Sequence, residues 1–161
     1  MRTPILSERP VVVITGASGG IGAALARRVA PTHALSLVAR RHAELTHVGE
    51  QQTASTGTPV PTICADVTSR AEVQRIVRET LARFGRIDAW VNNVGQGITR
   101  MPSELTDDDI DDMMRINVKS ALYGMQEILP HFQAVGRGHV VNVSSMLGRA
   151  PFALQRSAYS A

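Results

Sequence analysis

The chain carries the stretch VVVITGASGGIG at residues 11–22, and this stretch decides the fold. Its first four residues form an apolar run typical of a buried strand, and the pattern from Ile21 to Ala30 is helical. A helix start presents unpaired backbone N–H groups and a partial positive charge, and glycines let phosphate oxygens approach the backbone. The stretch therefore predicts a strand–turn–helix unit that binds a phosphate-bearing ligand.

The turn itself supplies several candidate ligand-binding residues. Gly16 suits the tight turn, Gly20 the close approach of a phosphate, and Gly22 the packing of the helix on the strand. Ser18 can add a hydroxyl donor. The full set predicted to contact the ligand here is Gly16, Ser18, Gly19, Gly20, Ile21 and Gly22. A glycine-rich loop without a ligand is the alternative, and the strand before it and the helix after it argue against that alternative.

Downstream of this unit, apolar runs alternate with segments of helical period. Further strands are predicted at residues 34–39, 60–65, 87–92 and 140–143, and helices at about 42–53, 69–84 and 106–131. Ser69 and Thr106 are predicted as helix N-caps, the latter in a capping box with Asp109. The alternation predicts an α/β fold, a Rossmann-type, doubly wound parallel sheet with helices on both faces, in one domain over residues 1–161.

Composition excludes several classes of protein. A hydrophobic fraction of 43% with 19% charged residues is globular rather than disordered. The net charge of +3 comes from scattered arginines with no run longer than two, so no nucleic-acid partner is expected. The single cysteine fits a reducing compartment, and neither a signal core nor a membrane span is evident. We expect a cytoplasmic protein with no membrane partner and no metal site.

The glycine spacing, Thr15-Gly16 followed by Gly20 and Gly22, is TGxxxGxG and resembles that of the short-chain dehydrogenase/reductase (SDR) family. Further landmarks follow in family order. They are Asp66-Val67 after the third predicted strand, Asn92-Asn93-Val94-Gly95 after the fourth, Asn117 in the long helix, Val141-Asn142-Val143-Ser144-Ser145, and Tyr159. Together they cover nearly the whole chain.

The resemblance implies a role for each landmark. Asp66 and Val67 would lie at the adenine, and Asn93 and Gly95 at the cofactor. Three residues would be catalytic: Tyr159 as acid/base, Ser145 as the residue that orients the carbonyl oxygen, and Asn117 as a structural or proton-relay residue.

The end of the second predicted strand bears on which cofactor is bound. An acidic residue there would accept hydrogen bonds from a ribose 2′-OH and repel a 2′-phosphate. This chain has Ala39 there, followed by Arg40 and Arg41, and a guanidinium can fork onto a phosphate. The sequence therefore favours NADP(H) over NAD(H). The alternative is that the two arginines only solvate the start of a helix.

The resemblance implies that the chain would act as an NADP(H)-dependent oxidoreductase, which transfers hydride between NADP(H) and a ketone, aldehyde or secondary alcohol. The long helix would pair with a second copy in a homodimer or homotetramer.

The family motif Tyr-x-x-x-Lys starts at Tyr159, and its lysine would fall two residues beyond Ala161. We therefore expect the N-terminal part of a longer domain, with further C-terminal strands. A truncated, catalytically silent nucleotide-binding module is the alternative.

Overall fold

A parallel five-stranded sheet forms the centre of the molecule. The computed structural model describes residues 8–150, residue 155 and residues 157–160. The strands are β1 (Val11–Thr15), β2 (Ala34–Ala39), β3 (Thr62–Cys64), β4 (Ala89–Asn92) and β5 (His139–Asn142). Their order is β3-β2-β1-β4-β5, and every neighbouring pair is parallel. The predicted fold class is confirmed.

Helices connect the strands in the order that a doubly wound sheet requires. They are α1 (Gly20–Val29), α2 (His42–Thr56), α3 (Arg70–Phe84), α4 (Asp107–Met113), α5 (Ser120–Val135) and the short α6 (Ser157–Ser160). A π-helical segment, Met114–Lys119, joins α4 to α5. Single 3₁₀ turns lie at Pro102–Glu104 and Met146–Gly148.

The core lies in two layers, one on each face of the sheet. Strand β1 is buried throughout because it is central, and its successive side chains point to opposite faces. Val12 and Ile14 pack with residues of β2, α1 and α2, whereas Val13 packs with residues of α3, α5 and β4. β5 lies at one edge of the described sheet, and Val141 there is half exposed.

Most element ends lie close to the predicted ones. β2 spans the predicted residues, and β3 is shorter than predicted. The capping box is confirmed, since Thr106 Oγ1 accepts from the Asp109 backbone N–H and the Asp109 carboxylate accepts from that of Thr106. Ser69 is the N-cap of α3, but its side chain makes no capping hydrogen bond.

The prediction of one continuous α-helix over residues 106–131 is wrong. The π-helical segment interrupts it, and α5 continues past Pro130 to Val135. Near the end of the segment, the Ser120 hydroxyl donates to the carbonyl oxygen of Ile116. A side chain that bonds into the helical ladder is a known cause of such irregularity.

Within the described ranges, no helix is long and apolar enough to cross a membrane. The same part of the chain contains no cluster of three or more His, Cys, Asp or Glu arranged to hold a metal ion. The cytoplasmic location and the single domain over residues 1–161 stay predictions.

Candidate functional site

The carboxyl ends of the first four strands surround a cavity of about 360 Å³. In open α/β sheets ligands bind in the crevice outside these ends, where the strand order reverses. Here the reversal falls between β1 and β4. Of the predicted cofactor residues, Gly16, Ser18, Gly19, Ile21, Arg40, Arg41, Asp66, Val67, Asn93 and Gly95 line the cavity. Gly20 and Gly22 lie beside it in the first turn of α1.

The glycine turn packs too closely to admit side chains at two positions. A Cβ atom at Gly22 would lie 2.4 Å from the carbonyl oxygen of Gly16. A Cβ atom at Gly16 would lie 2.9 Å from Asn93 Nδ2, and Gly16 has a φ of +67°. These glycines bring the backbone of the turn against Asn93, which directly follows β4, and Gly16 and Gly19 line the cavity beside Ser18 and Ile21.

The start of α1 offers backbone donors toward the same space. Gly19 is the N-cap, and no side chain caps the helix there. Gly20 has a φ of +53°, and a Cβ atom there would meet nothing within 4 Å. Unpaired N–H groups at a helix start, together with the helix dipole, suit an anion. The donor set and the open space therefore fit the pyrophosphate of a dinucleotide.

Thr15 and Asn93 tie β1 to β4 directly beneath this turn. The buried Thr15 hydroxyl donates to the carbonyl of Val91 at 3.0 Å and accepts from the Asn93 N–H at 3.0 Å. Asn93 Nδ2 in turn donates to the carbonyl oxygens of Thr15 and Gly16. Thr15 was not among the predicted site residues, although its place immediately before Gly16 in the motif is a signal for it.

Arg40 and Arg41 lie at the mouth of the cavity and have different partners. Arg41 Nη2 and Nε donate to Ser18 Oγ at 3.0 and 3.2 Å, and Arg41 also pairs with Glu44 at 3.3 Å. Arg40 lies 3.9 Å from a carboxylate oxygen of Asp66. Both arginine side chains are 61% exposed. The arrangement presents two guanidinium groups to a ligand in the cavity.

The Asp66 carboxylate is held by the residues that follow it. Its Oδ1 accepts hydrogen bonds from both the backbone N–H and the hydroxyl of Thr68, at 2.9 Å each. Burial raises the pKa of Asp66, but these bonds and the charges of Arg40 and Arg115 outweigh it, so the pKa lies below its ordinary value. Thr68 also lines the cavity and was missed, although an Asp two residues before a Thr is a turn signal.

A second cavity, of about 290 Å³, lies beside the first. The three predicted catalytic residues, Ser145, Tyr159 and Asn117, all line it. The two cavities share four lining residues, namely Ile21, Asn93, Val94 and Gly95. Ser144 lines the second cavity as well. A two-ended ligand could therefore occupy both cavities across the shared wall.

Asn117 uses its side chain to hold the loop after β4. Its Oδ1 accepts from the Gln96 backbone N–H at 2.8 Å, and its Nδ2 donates to the Gln96 carbonyl at 2.9 Å. Both ends of the amide are thus engaged by one residue of the loop. A proton-relay role for Asn117 stays a prediction, whereas the structural contact is present.

The family model for short chain dehydrogenase matches residues 10–161. An uncharacterized oxidoreductase of Staphylococcus epidermidis is 32% identical over 145 residues, which are 89% of this chain and 61% of the relative. The chain thus spans 61% of the length of that curated relative.

Two solved structures place the fold in the same group. A short-chain dehydrogenase from Sphingobium yanoikuyae in complex with NADPH has a TM-score of 0.83 and 32% identity, covering 94% of this chain and 59% of that one. An SDR from Burkholderia phymatum in complex with NAD has a TM-score of 0.89 and 27% identity, covering 94% and 54%. Because the family match extends over almost all of the sequence and the sheet agrees with it, this chain belongs to the short chain dehydrogenase family.

Proposed function

We propose that the chain forms the cofactor-binding part of an oxidoreductase that transfers hydride between NADP(H) and a ketone, an aldehyde or a secondary alcohol. Family membership supports oxidoreductase chemistry. Similar structures contain NADPH in one case and NAD in another, so the cofactor preference must be argued from local residues. The observation that carries the proposal is the Arg41–Ser18 contact at the mouth of the cavity.

Charge at the end of β2 supports NADP(H). Ala39 has no carboxylate that would bind a ribose 2′-OH or repel a 2′-phosphate. Arg41, held over the glycine turn by Ser18, and its neighbour Arg40 offer charge-assisted hydrogen bonds to a phosphate. Glu44 pairs with Arg41 and Asp66 lies 3.9 Å from Arg40, but both guanidinium groups stay 61% exposed and can still donate to a phosphate. We therefore assign the 2′-phosphate to these two arginines.

The remaining residues suit the other parts of the cofactor and the substrate. The start of α1 would bind the pyrophosphate, and Asp66 and Val67 would contact the adenine. When bound, NADP(H) supplies or accepts the hydride. Tyr159 would exchange the proton of the substrate oxygen, and the Ser145 hydroxyl would donate a hydrogen bond to that oxygen. Asn117 would support Tyr159 and Ser145 by fixing the loop at Gln96.

The proposal is tested by titrating NADPH and NADH with cofactor fluorescence as the signal. Wild-type protein should bind NADPH more tightly than NADH. Arg41→Ala should weaken NADPH binding by about tenfold, the effect of losing about 1.4 kcal/mol of charge-assisted contacts, and change NADH binding little. Arg27→Ala, an equal change of charge at the exposed end of α1, is the matched control and should alter neither affinity. Tighter binding of NADH by the wild type would overturn the cofactor assignment.

We also propose that a second copy of the chain covers α4 and α5. Large apolar side chains stay exposed along α4, the π-helical segment and α5, namely Ile110, Met114, Val118, Leu122 and Leu129. Solvent-exposed apolar side chains that line up on one helix are typical of an interface. The solution mass by light scattering should therefore be at least twice the 17.3 kDa of one chain, and a mass of 17.3 kDa would contradict the proposal.

A further inference from the structure

We infer that Trp90 is a positioning residue for the candidate site, because its indole N–H sets the orientation of the Asn92 amide and thereby the alignment of β4, β5 and α5. The inference rests on the proposed function, since NADPH binding is its functional readout. Trp90 lines neither cavity at the site, so its effect would pass through Asn92.

Trp90 is fully buried, and it is the single tryptophan of the chain. Its Nε1 donates to Asn92 Oδ1 at 2.7 Å. A Cβ atom at Gly124 of α5 would lie 2.3 Å from Asn92 Oδ1 and 2.5 Å from Trp90 Nε1. α5 therefore packs directly over this hydrogen bond, and the glycine makes the room for it.

The direction of this hydrogen bond fixes the rest of the network. An indole nitrogen only donates, whereas an asparagine amide has one accepting and one donating end. Asn92 must turn its oxygen to the indole, and its Nδ2 then donates to Asn142 Oδ1 at 2.8 Å and to the Ala121 carbonyl at 3.2 Å. A reversed amide would place its oxygen against two acceptors and its NH₂ against the indole N–H.

Asn92 lies where the three elements that carry the site meet. β4 leads directly into Asn93, β5 leads through Asn142 to Ser145, and α5 follows the segment that carries Asn117. The Asn92 side chain contacts all three elements, because its partners are Trp90, Asn142 and Ala121. A single donor, buried beneath the sheet ends, thus selects the amide orientation that holds these elements together.

The first test measures NADPH affinity in folded variants. Trp90→Phe should raise the Kd for NADPH by about tenfold, because it leaves the buried Asn92 oxygen without its donor. Asn142→Ala should also raise the Kd for NADPH. Because Asn142 is exposed, this variant keeps the fold. Asn142→Asp should restore most of the lost affinity, because a carboxylate still accepts from Asn92 Nδ2. Equal affinities for Asn142→Ala and Asn142→Asp would overturn the inference.

The second test follows the Trp90 indole N–H resonance in a ¹⁵N–¹H spectrum, where one tryptophan gives one signal. Asn142→Ala should shift this signal, because Asn142 is linked to the indole through the Asn92 amide. Thr80→Val is the control, since it removes a buried hydroxyl pair with Ser36 at 3.0 Å between β2 and α3. It should lower stability without moving the indole signal or the NADPH affinity.

The outcomes separate the inference from the proposed function. If wild-type protein fails to bind NADPH, the proposed function fails, and the indole shift in Asn142→Ala still tests the network. If wild-type protein binds NADPH and folded Trp90→Phe binds it equally well, the positioning role of Trp90 is wrong.

Discussion

Among the glycines of the candidate site, Gly22 in the first turn of α1 leaves the least room for a side chain. A Cβ atom at this residue would lie 2.4 Å from the Gly16 carbonyl oxygen and 2.7 Å from Asn93 Nδ2. Neither partner can yield easily, because Asn93 is hydrogen-bonded to the backbone of Thr15 and Gly16. The missing side chain at Gly22 thus keeps the turn against β4.

Gly22→Ala should therefore impair NADPH binding severely, by at least about tenfold, because backbone atoms must shift to admit the methyl group. Gly57→Ala is the matched control. Gly57 ends α2 with a φ of +69°, and a Cβ atom there meets nothing within 4 Å. The control should cost about 1 kcal/mol of folding free energy and leave NADPH affinity unchanged. Wild-type affinity in Gly22→Ala, measured by fluorescence titration, would contradict this account.

The sequence predicted individual site residues best where their role depends on their position in a local motif. Glycines in the turn and arginines after β2 are visible as residue types at a fixed spacing, and most of them line the cavity. Thr68 and Trp90 were not predicted as site residues. Their roles depend on partners brought close only by folding, as with the Arg115 guanidinium 3.1 Å from the Thr68 hydroxyl.

At the scale of elements, α5 combines a buried face with an exposed apolar one. Gly124 and Ile128 pack against the sheet, whereas Leu122 and Leu129 face outward. A helix that is apolar on two sides needs two neighbours. The sheet is one of them, and the proposed second copy of the chain is the other.

Leu122→Lys should reduce the solution mass to that of one chain, because it places a charge in the proposed interface. Val135→Lys is the control, since Val135 is also exposed near the end of α5 but lies on a different side of the helix. Light scattering measures both variants. If Leu122→Lys keeps the mass of the wild type, the interface lies elsewhere.

The sequence predicted the ends of β1 and β2, which are buried on both faces, more accurately than those of β3. β1 and β2 read as apolar runs because helices cover the sheet on both sides. β3 was predicted too long, since the predicted run included Pro61, which has no N–H for the sheet. The π-helical segment was missed because apolar spacing alone does not distinguish it from an α-helix.

At the scale of the whole molecule, Asp88 joins strands at the end of the sheet remote from the site. Its Oδ2 accepts from the Val11 backbone N–H and from Arg86 Nε, each at 2.8 Å. Burial raises the pKa of Asp88. Hydrogen bonds from Arg86 and Val11, together with the charges of Arg86 and Arg137, lower this pKa by more than burial raises it. The net pKa in the folded protein lies below the ordinary value, so ionised Asp88 stabilises the fold.

The sign of the pH dependence follows from that lowered pKa. The stabilisation is fully present above the unfolded-state pKa of about 3.9 and is lost as the pH falls through the lower folded-state value. Asp88→Asn should therefore lower the free energy of unfolding at neutral pH, and its difference from wild type should shrink in acid. Urea unfolding at a series of pH values measures this. Glu50→Gln, at an exposed site on α2, is the control, and a difference that stays constant with pH would contradict the prediction.

The π-helical segment between α4 and α5 lets the chain absorb a one-residue insertion. Beyond the segment, Ser120, Gly124, Ile128 and Phe132 are buried at the ordinary spacing of an α-helix. A π turn holds an extra residue, and here that extra residue is taken up before Ser120. A shorter relative that lacked one residue in this segment would present the same face of α5 to the same sheet.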